Sequence, residues 1–193
     1  IGRFARALSI VRANPMASGI VSKSRKRTRA ELIVAPYENE AALAHFAEGL
    51  DFATYEFESI PIAAVESIAQ RVTVRPAVRA LETAQDRAKE KACFEALGIP
   101  TPRSATADSL REARAALAMV GSPAILKTRR LGYDGKGQAV IRQSTDLERA
   151  WVTVAGAPSI IESFVTFTRE LSLIAVRSAS GDSAFYPLVE NHH

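Results

Sequence analysis

The residues best placed to do chemistry lie in one stretch, Leu126-Lys127-Thr128-Arg129-Arg130-Leu131-Gly132-Tyr133-Asp134-Gly135-Lys136-Gly137-Gln138. Lys127 closes a short apolar run that starts at Ala124 and reads as a strand. A loop with glycines at 132, 135 and 137 follows, and a second strand-like run, Gln138 to Arg142, leads away from it. Glycine lets a backbone approach phosphate oxygens closely and turn its N–H groups toward them. Lys127 and Lys136 add compact positive charge at the two ends. A lysine on an apolar strand also needs an anion, because an unpaired buried ammonium is costly. Such a hairpin suits a lid over the phosphates of a nucleoside triphosphate. It is not a Walker A loop, since no helix opens after it, and it is not the G-x-G-x-x-G turn of a dinucleotide fold. A plain turn at Asp134-Gly135 would leave Lys136 and the other glycines without a purpose.

Other groups could join it. Glu162 follows Ile160-Ile161 on a strand, and Glu170 opens the next one. A carboxylate there can bind ribose hydroxyls, hold Mg²⁺ through water, or simply be solvated at a sheet edge. Glu56 and Glu58 sit in Thr54-Tyr55-Glu56-Phe57-Glu58-Ser59-Ile60-Pro61, at the C-terminal end of an early strand. Crevices at that end of open sheets bind ligands, though a charged loop would look the same. His192 and His193 would point to opposite faces of a strand and make a poor chelating pair. They read as a real site or as the start of an affinity tag.

The elements that must position these groups become regular from residue 31. Strands are expected at Glu31–Ala35, Asp51–Phe57 and Val72–Val74. Helices are expected at Glu38–Glu48 and after Pro61, with Ile62, Val65, Ile68 and Ala69 at helical spacing. This alternation implies an α/β layer with a parallel sheet. From Arg75-Pro76 a second region begins. A helix is expected over Thr83–Leu97, stopped by Gly98, followed by an extended connector, Ile99–Ala105. Ser109 and Glu112 form a capping-box pair for a helix running to Val120. Thr145 and Glu148 repeat that signature before Leu147, Trp151 and Val154. Strands are then expected at Ser159–Val165, Glu170–Ser178 and Ala184–Asn191, the last two joined by a turn at Ser180-Gly181-Asp182.

Bulk properties exclude several classes. The 193 residues are 47% hydrophobic and 24% charged, as in a folded globular protein. No apolar run approaches the ~20 residues that span a bilayer, and no signal-peptide zones open the chain. The lone Cys93 cannot make an internal disulfide or a cysteine-rich zinc site, and a cytoplasmic setting is expected. The net charge of +4 comes from one run. Six basic residues and no acid lie between Arg12 and Arg29, and the rest of the chain is slightly acidic. A nucleic-acid partner is therefore not expected.

Taken together, these residues resemble the N5-carboxyaminoimidazole ribonucleotide synthases, ATP-grasp ligases of purine biosynthesis. The matching motifs are Thr54 to Glu58, Gln85-Asp86-Arg87 with Lys89-Glu90-Lys91, Leu97-Gly98-Ile99-Pro100, Lys127 to Gln138, Glu162 with Phe167-x-x-Glu170-Leu171-Ser172, and Phe185-Tyr186-Pro187 with Glu190-Asn191-x-His193. They run in the family's order from about residue 31 to the end. The resemblance implies an α/β pre-ATP-grasp domain over 1–75 and a partial ATP-grasp domain over 76–193. Within the latter, 76–158 would be the small lid subdomain and 159–193 the start of the large one. Arg87 and Lys127 would contact ATP phosphates or the adenine edge. Gly132, Tyr133, Asp134, Gly135, Lys136, Gly137 and Gln138 would be the mobile loop over the phosphates. Glu162, Ser163, Phe164 and Val165 would form the linker strand that reads adenine through its backbone, with Glu170 on the ribose and His193 near the nucleotide or the carboxylating centre. Asp134 and Lys136 are the catalytic candidates, contacting bicarbonate or substrate. Glu56, Glu58 and Tyr133 would face aminoimidazole ribonucleotide.

The family joins bicarbonate to the exocyclic amine of that substrate at the expense of ATP, usually as a homodimer. Its Mg²⁺ ligands are expected beyond His193, with none within this chain, so the chain alone is expected to be inactive. Residues 11–29 depart from the family's pattern, as a frame error restored near Ala30 would explain. Three alternatives stay open: another ATP-grasp carboxylase or ligase, a non-catalytic nucleotide-binding fragment, and a nucleic-acid binder using Lys23–Arg29.

Overall fold

The computed structural model describes residue 33 and residues 35–55, 57–132 and 136–192. Glu31, Leu32 and Val34 of the first expected strand lie outside these, as do the basic run, Glu56, Tyr133, Asp134, Gly135 and His193.

The first part alternates as expected: α1 (Glu40–Ala47), β1 (Phe52–Ala53), α2 (Ile62–Ala69) and β2 (Thr73–Val74). Asn39 caps α1, its side chain accepting from the Ala42 N–H at 3.0 Å. β1 and β2 are parallel, with Phe52 opposite Thr73 and Ala53 opposite Val74. Leu43, Val65, Ile68, Val74 and Leu81 pack into one core. The strand expected over Asp51–Phe57 is only two residues long. Beyond it the side-chain amide of Gln85 donates to the carbonyls of Glu58 and Ile60, so these backbone groups serve a tertiary contact instead of a ladder.

The helix expected over Thr83–Leu97 is two helices, α3 (Val78–Ala84) and α4 (Arg87–Ala96). The break falls at Gln85-Asp86. Asp86 takes an extended conformation and caps α4 by accepting from the Ala88 N–H at 3.0 Å. At the other end, Gly98 adopts φ +71, which lets its N–H reach Glu95 O at 3.0 Å and the Ile99 N–H reach Phe94 O at 2.9 Å. This is a Schellman stop, and it uses glycine for its left-handed backbone.

A four-stranded antiparallel sheet follows, in the order β3 (Ser104–Ala107), β6 (Ser159–Ser163), β4 (Ala124–Thr128), β5 (Gln138–Ile141). β3 starts within the expected connector, at Ser104, and runs two residues past it. Its sequence, Ser-Ala-Thr-Ala, has no large apolar residue to betray a strand, and it is held by pairing with β6. α5 (Leu110–Val120) and α6 (Leu147–Thr153) cover one face. α5 turns Ala113, Ala116, Leu117 and Val120 inward at helical spacing, onto Leu126, Ile141 and Ile161, all fully buried. Ser109 caps α5, accepting from the Glu112 N–H at 3.2 Å, while Glu112 takes the Asp108 N–H at 2.8 Å. The second expected cap is displaced. A 3-10 turn, Ser144–Asp146, precedes α6, and Gln143 with Asp146 forms the capping box. Glu148 pairs with Arg114 at 2.9 Å instead.

The last two expected strands are each interrupted. β7 (Glu170–Ser172) pairs with β10 (Val189–Asn191), and β8 (Ala175–Arg177) with β9 (Ser183–Phe185), both antiparallel, around the expected turn. Leu171, Val176 and Phe185 in these strands are exposed. Among the described residues no helix is long and apolar enough to cross a membrane.

Candidate functional site

The face of the sheet opposite α5 and α6 carries the charged groups. Lys127 on β4 lies across from Ile160, and Glu162 on β6 lies across from Ile125, so the two are diagonal neighbours on one face. The Lys127 ammonium sits 2.7 Å from Glu162 Oε2. The anion that Lys127 requires is therefore a carboxylate of the same chain, 35 residues away. A second ammonium, Lys91 on α4, lies 3.0 Å from Glu162 Oε1 and donates to Pro102 O at 3.2 Å. Lys91 and Glu162 are both buried. Burial pushes the Glu162 carboxyl up, but the hydrogen bonds from Lys127 and Lys91 outweigh it and hold the group below its ordinary range. A cavity of about 330 Å³ opens beside this triad, with Arg87, Phe94 and Pro102 also on its wall.

The root of the glycine loop adjoins it. The Thr128 N–H donates to Gly137 O at 2.7 Å, closing the loop on itself. Gln138 opens β5 opposite Lys127. Two glycines here answer to packing on Thr128. A Cβ at Gly137, whose φ is +68, would stand 2.7 Å from Thr128 Oγ1, and one at Gly132 would stand 3.0 Å from the same atom. Lys136 follows at the same root, its carbonyl against Gly132. Arg87 secures the near side: Nε donates to Thr128 O and Nη2 to Gly132 O, both at 3.1 Å. Its guanidinium thus holds the loop while lining the cavity.

Asp86 anchors the same segment. Arg129 donates to it through Nε at 3.0 Å and Nη2 at 2.7 Å, in the paired geometry that suits a guanidinium and a carboxylate. Burial raises the carboxyl, yet the hydrogen bonds from Arg129 and the Ala88 N–H prevail and lower it. Beside this anchor lies a second cleft of about 420 Å³, bounded by Glu58, Pro61, Gln85, Arg130 and Leu131.

The sequence-predicted residues thus divide. Arg87, Lys127 and Glu162 share one cavity, with Gly132, Lys136, Gly137 and Gln138 at the loop beside it. Glu58 lines the second cleft. Glu170 belongs to the terminal hairpin, where it accepts from Asn191 Nδ2 at 2.9 Å. In the linker, the Ser163 N–H donates to Arg103 O at 2.9 Å and the Phe164 N–H to Pro123 O at 3.0 Å. Those two N–H groups are engaged by the protein, while the Phe164 and Val165 side chains are exposed. Glu56, Tyr133, Asp134, Gly135 and His193 lie outside the described residues. Sequence reasoning assigned no role to Lys91, Asp86 or Arg129. The signal was that all three fall within the quoted motifs, Asp86 and Lys91 near Arg87 and Arg129 just after Lys127. Among the described residues no group of three His, Cys, Asp or Glu could hold a metal ion.

A model of the ATP-grasp domain matches residues 92–193, more than half of the chain. The chain belongs to the ATP-grasp family. A model of the ribonucleotide synthetase preATP-grasp domain matches residues 12–85, reaching into the segment read above as a departure from the pattern. This ATP-grasp chain is 47% identical over 163 residues to the N5-carboxyaminoimidazole ribonucleotide synthase of Pseudomonas aeruginosa, covering 84% of this chain and 45% of that protein. In structure it is similar to the N5-carboxyaminoimidazole ribonucleotide synthetase of Thermus thermophilus, with TM-score 0.75, 45% identity, and coverage of 84% of this chain and 44% of that one. The Staphylococcus aureus N5-carboxyaminoimidazole synthetase complexed with ADP matches with TM-score 0.78 and 30% identity, over 83% of this chain and 43% of that one. The chain spans less than half the length of these relatives.

Proposed function

We propose that this chain carries the nucleotide-binding lid and the substrate-side domain of a ligase that carboxylates aminoimidazole ribonucleotide with bicarbonate. The products would be N5-carboxyaminoimidazole ribonucleotide, ADP and phosphate, on the route to purines. The observation that carries the reading is the Lys127–Glu162 pair on a cavity wall beside a glycine loop, in a chain so similar to the synthases. The division at residue 75 follows the same reading; two separate cores support two domains, although Val78 and Leu81, beyond that boundary, pack with the first.

In this proposal bicarbonate attacks the γ-phosphorus, ADP departs, and the resulting carboxyphosphate, or CO₂ released from it, is captured by the substrate's amine. The chain's part is positioning and charge neutralisation. Lys127 and Lys136 face the phosphates, the loop over 132–138 covers them and excludes water, and Asp134 is its catalytic candidate. Arg87 fixes the loop's root. Glu162 to Val165 and Glu170 lie along the base and ribose, and Glu58, with Glu56 and Tyr133, along the second substrate. Mg²⁺ would accompany ATP, but the described residues offer no cluster to hold it, and no step is assigned to it. A homodimer and a cytoplasmic setting belong to the same reading.

The test is phosphate release from Mg-ATP, with and without aminoimidazole ribonucleotide and bicarbonate, beside ADP titration, with Lys127→Ala as control. ADP binding that is lost in the variant is expected. Release that depends on the ribonucleotide would extend the reading to catalysis by this chain itself. No ADP binding would refute the proposal.

A further inference from the structure

The triad at Glu162 is not symmetrical. Both ammoniums line the cavity; Lys127 is the outer one, with 24% of its side chain exposed, and Lys91 the inner one, with 10% exposed and Pro102 O as a second partner. With Arg87 and Glu90 also on the cavity wall, three cationic side chains face two carboxylates, and the surplus positive charge suits an anion. An arriving phosphate reaches Lys127 first. Glu162 then loses one of its two partners while still buried, and a buried carboxylate left without a counter-ion is strongly unfavourable. Lys91 is placed to prevent that, because it holds the other oxygen from a different element.

We infer that Lys91 is a positioning residue of the nucleotide cleft: it keeps Glu162 charged and in place, so that Lys127 can exchange Glu162 for a phosphate. The inference rests on the nucleotide reading above. It predicts a specific pattern of dependence. Without Lys91, Glu162 has Lys127 as its remaining ammonium and competes with the ligand for it. Neutralising Glu162 as well removes the competitor.

The experiment is calorimetric titration of the full chain with ADP, using wild type, K91M, K91R, E162Q and K91M/E162Q, with thermal unfolding as a check on folding. K91M should weaken ADP binding by roughly tenfold or more, the scale of losing one partner of a buried charge pair. K91R should stay within about threefold of wild type, since it keeps the charge, and K91M/E162Q should recover most of the loss. Should K91M not fold, K91Q, which keeps a donor for Pro102 O without the charge, carries the same comparison. Wild-type affinity in K91M overturns the inference and leaves the nucleotide reading standing. A double variant as weak as K91M also overturns it, because Lys91 would then act through the fold. Failure of the wild type to bind ADP overturns both.

Discussion

Replacing Asp86 by alanine should be among the most damaging single changes to this chain. Two losses add up. The first is the N-cap of α4, a hydrogen bond to the Ala88 N–H worth about 1 kcal/mol. The second is the pair with Arg129. Removing one partner of a buried pair costs about 3–5 kcal/mol, but the Arg129 side chain is 26% exposed, so a value of about 2–3 kcal/mol is the better guide. Arg130, half exposed and 3.5 Å away, adds nothing measurable. The expected loss is about 3–4 kcal/mol for Asp86→Ala, against a typical stability of ~5–15 kcal/mol. For Asp86→Asn it is about 2–3 kcal/mol, because asparagine still caps the helix. With a urea slope of about 2 kcal/mol/M, these are midpoint shifts of about 1.5–2 M and about 1–1.5 M. Trp151, the single tryptophan, lies on α6 against the second core and reports the transition by fluorescence. In the Asp86→Asn background, Arg129→Met should add little, since the pair is already broken. A loss below ~1 kcal/mol for alanine, or an asparagine variant as damaged as alanine, would refute this account of Asp86.

Gly137→Ala should destabilise by about 1–2 kcal/mol, from the left-handed backbone and the contact with Thr128; pairing it with Thr128→Ala should remove only the contact's share, as a denaturation cycle would reveal. Asp86 and Glu162 both have carboxyls lowered by folding, so each contributes stability above its unfolded value near pH 4 that is lost as pH falls through the lower folded value. Acid titration followed by Trp151 fluorescence should therefore show stability falling below about pH 4, with a shallower slope in Asp86→Asn and E162Q, and an unchanged slope would remove these two groups from the explanation.

Much of the scaffold was legible because local and tertiary demands agreed. α5 has its inward residues at helical spacing, a serine cap and a glycine stop, and nothing elsewhere overrides them. The β4–β5 hairpin and the need of Lys127 for an anion could be read from a dozen residues. What escaped depends on partners distant in sequence. A helix running through Gln85-Asp86 looks sound locally, yet Arg129, 43 residues on, claims the Asp86 carboxylate. β3 has no pattern of its own and exists because β6 pairs with it. Lys91 looks like any surface lysine until Glu162 comes to rest beside it. The glycines were legible as necessary but for an incomplete reason, since phosphate approach is local chemistry and the Thr128 side chain between Gly132 and Gly137 takes its place only after folding.

Gln85 and Asp86 are neighbours in the chain that grip opposite sides. Gln85 holds the carbonyls of Glu58 and Ile60 at the edge of the second cleft, while Asp86 holds Arg129 at the root of the glycine loop. Arg130 and Leu131 of the loop segment also line the second cleft, so the loop's root and that cleft are joined both directly and across one peptide bond, with no long relay of packed side chains between them. If filling either cleft displaces this dipeptide, the two occupancies become thermodynamically linked, and the linkage is reciprocal: whatever factor one ligand imposes on the affinity of the other is returned in full.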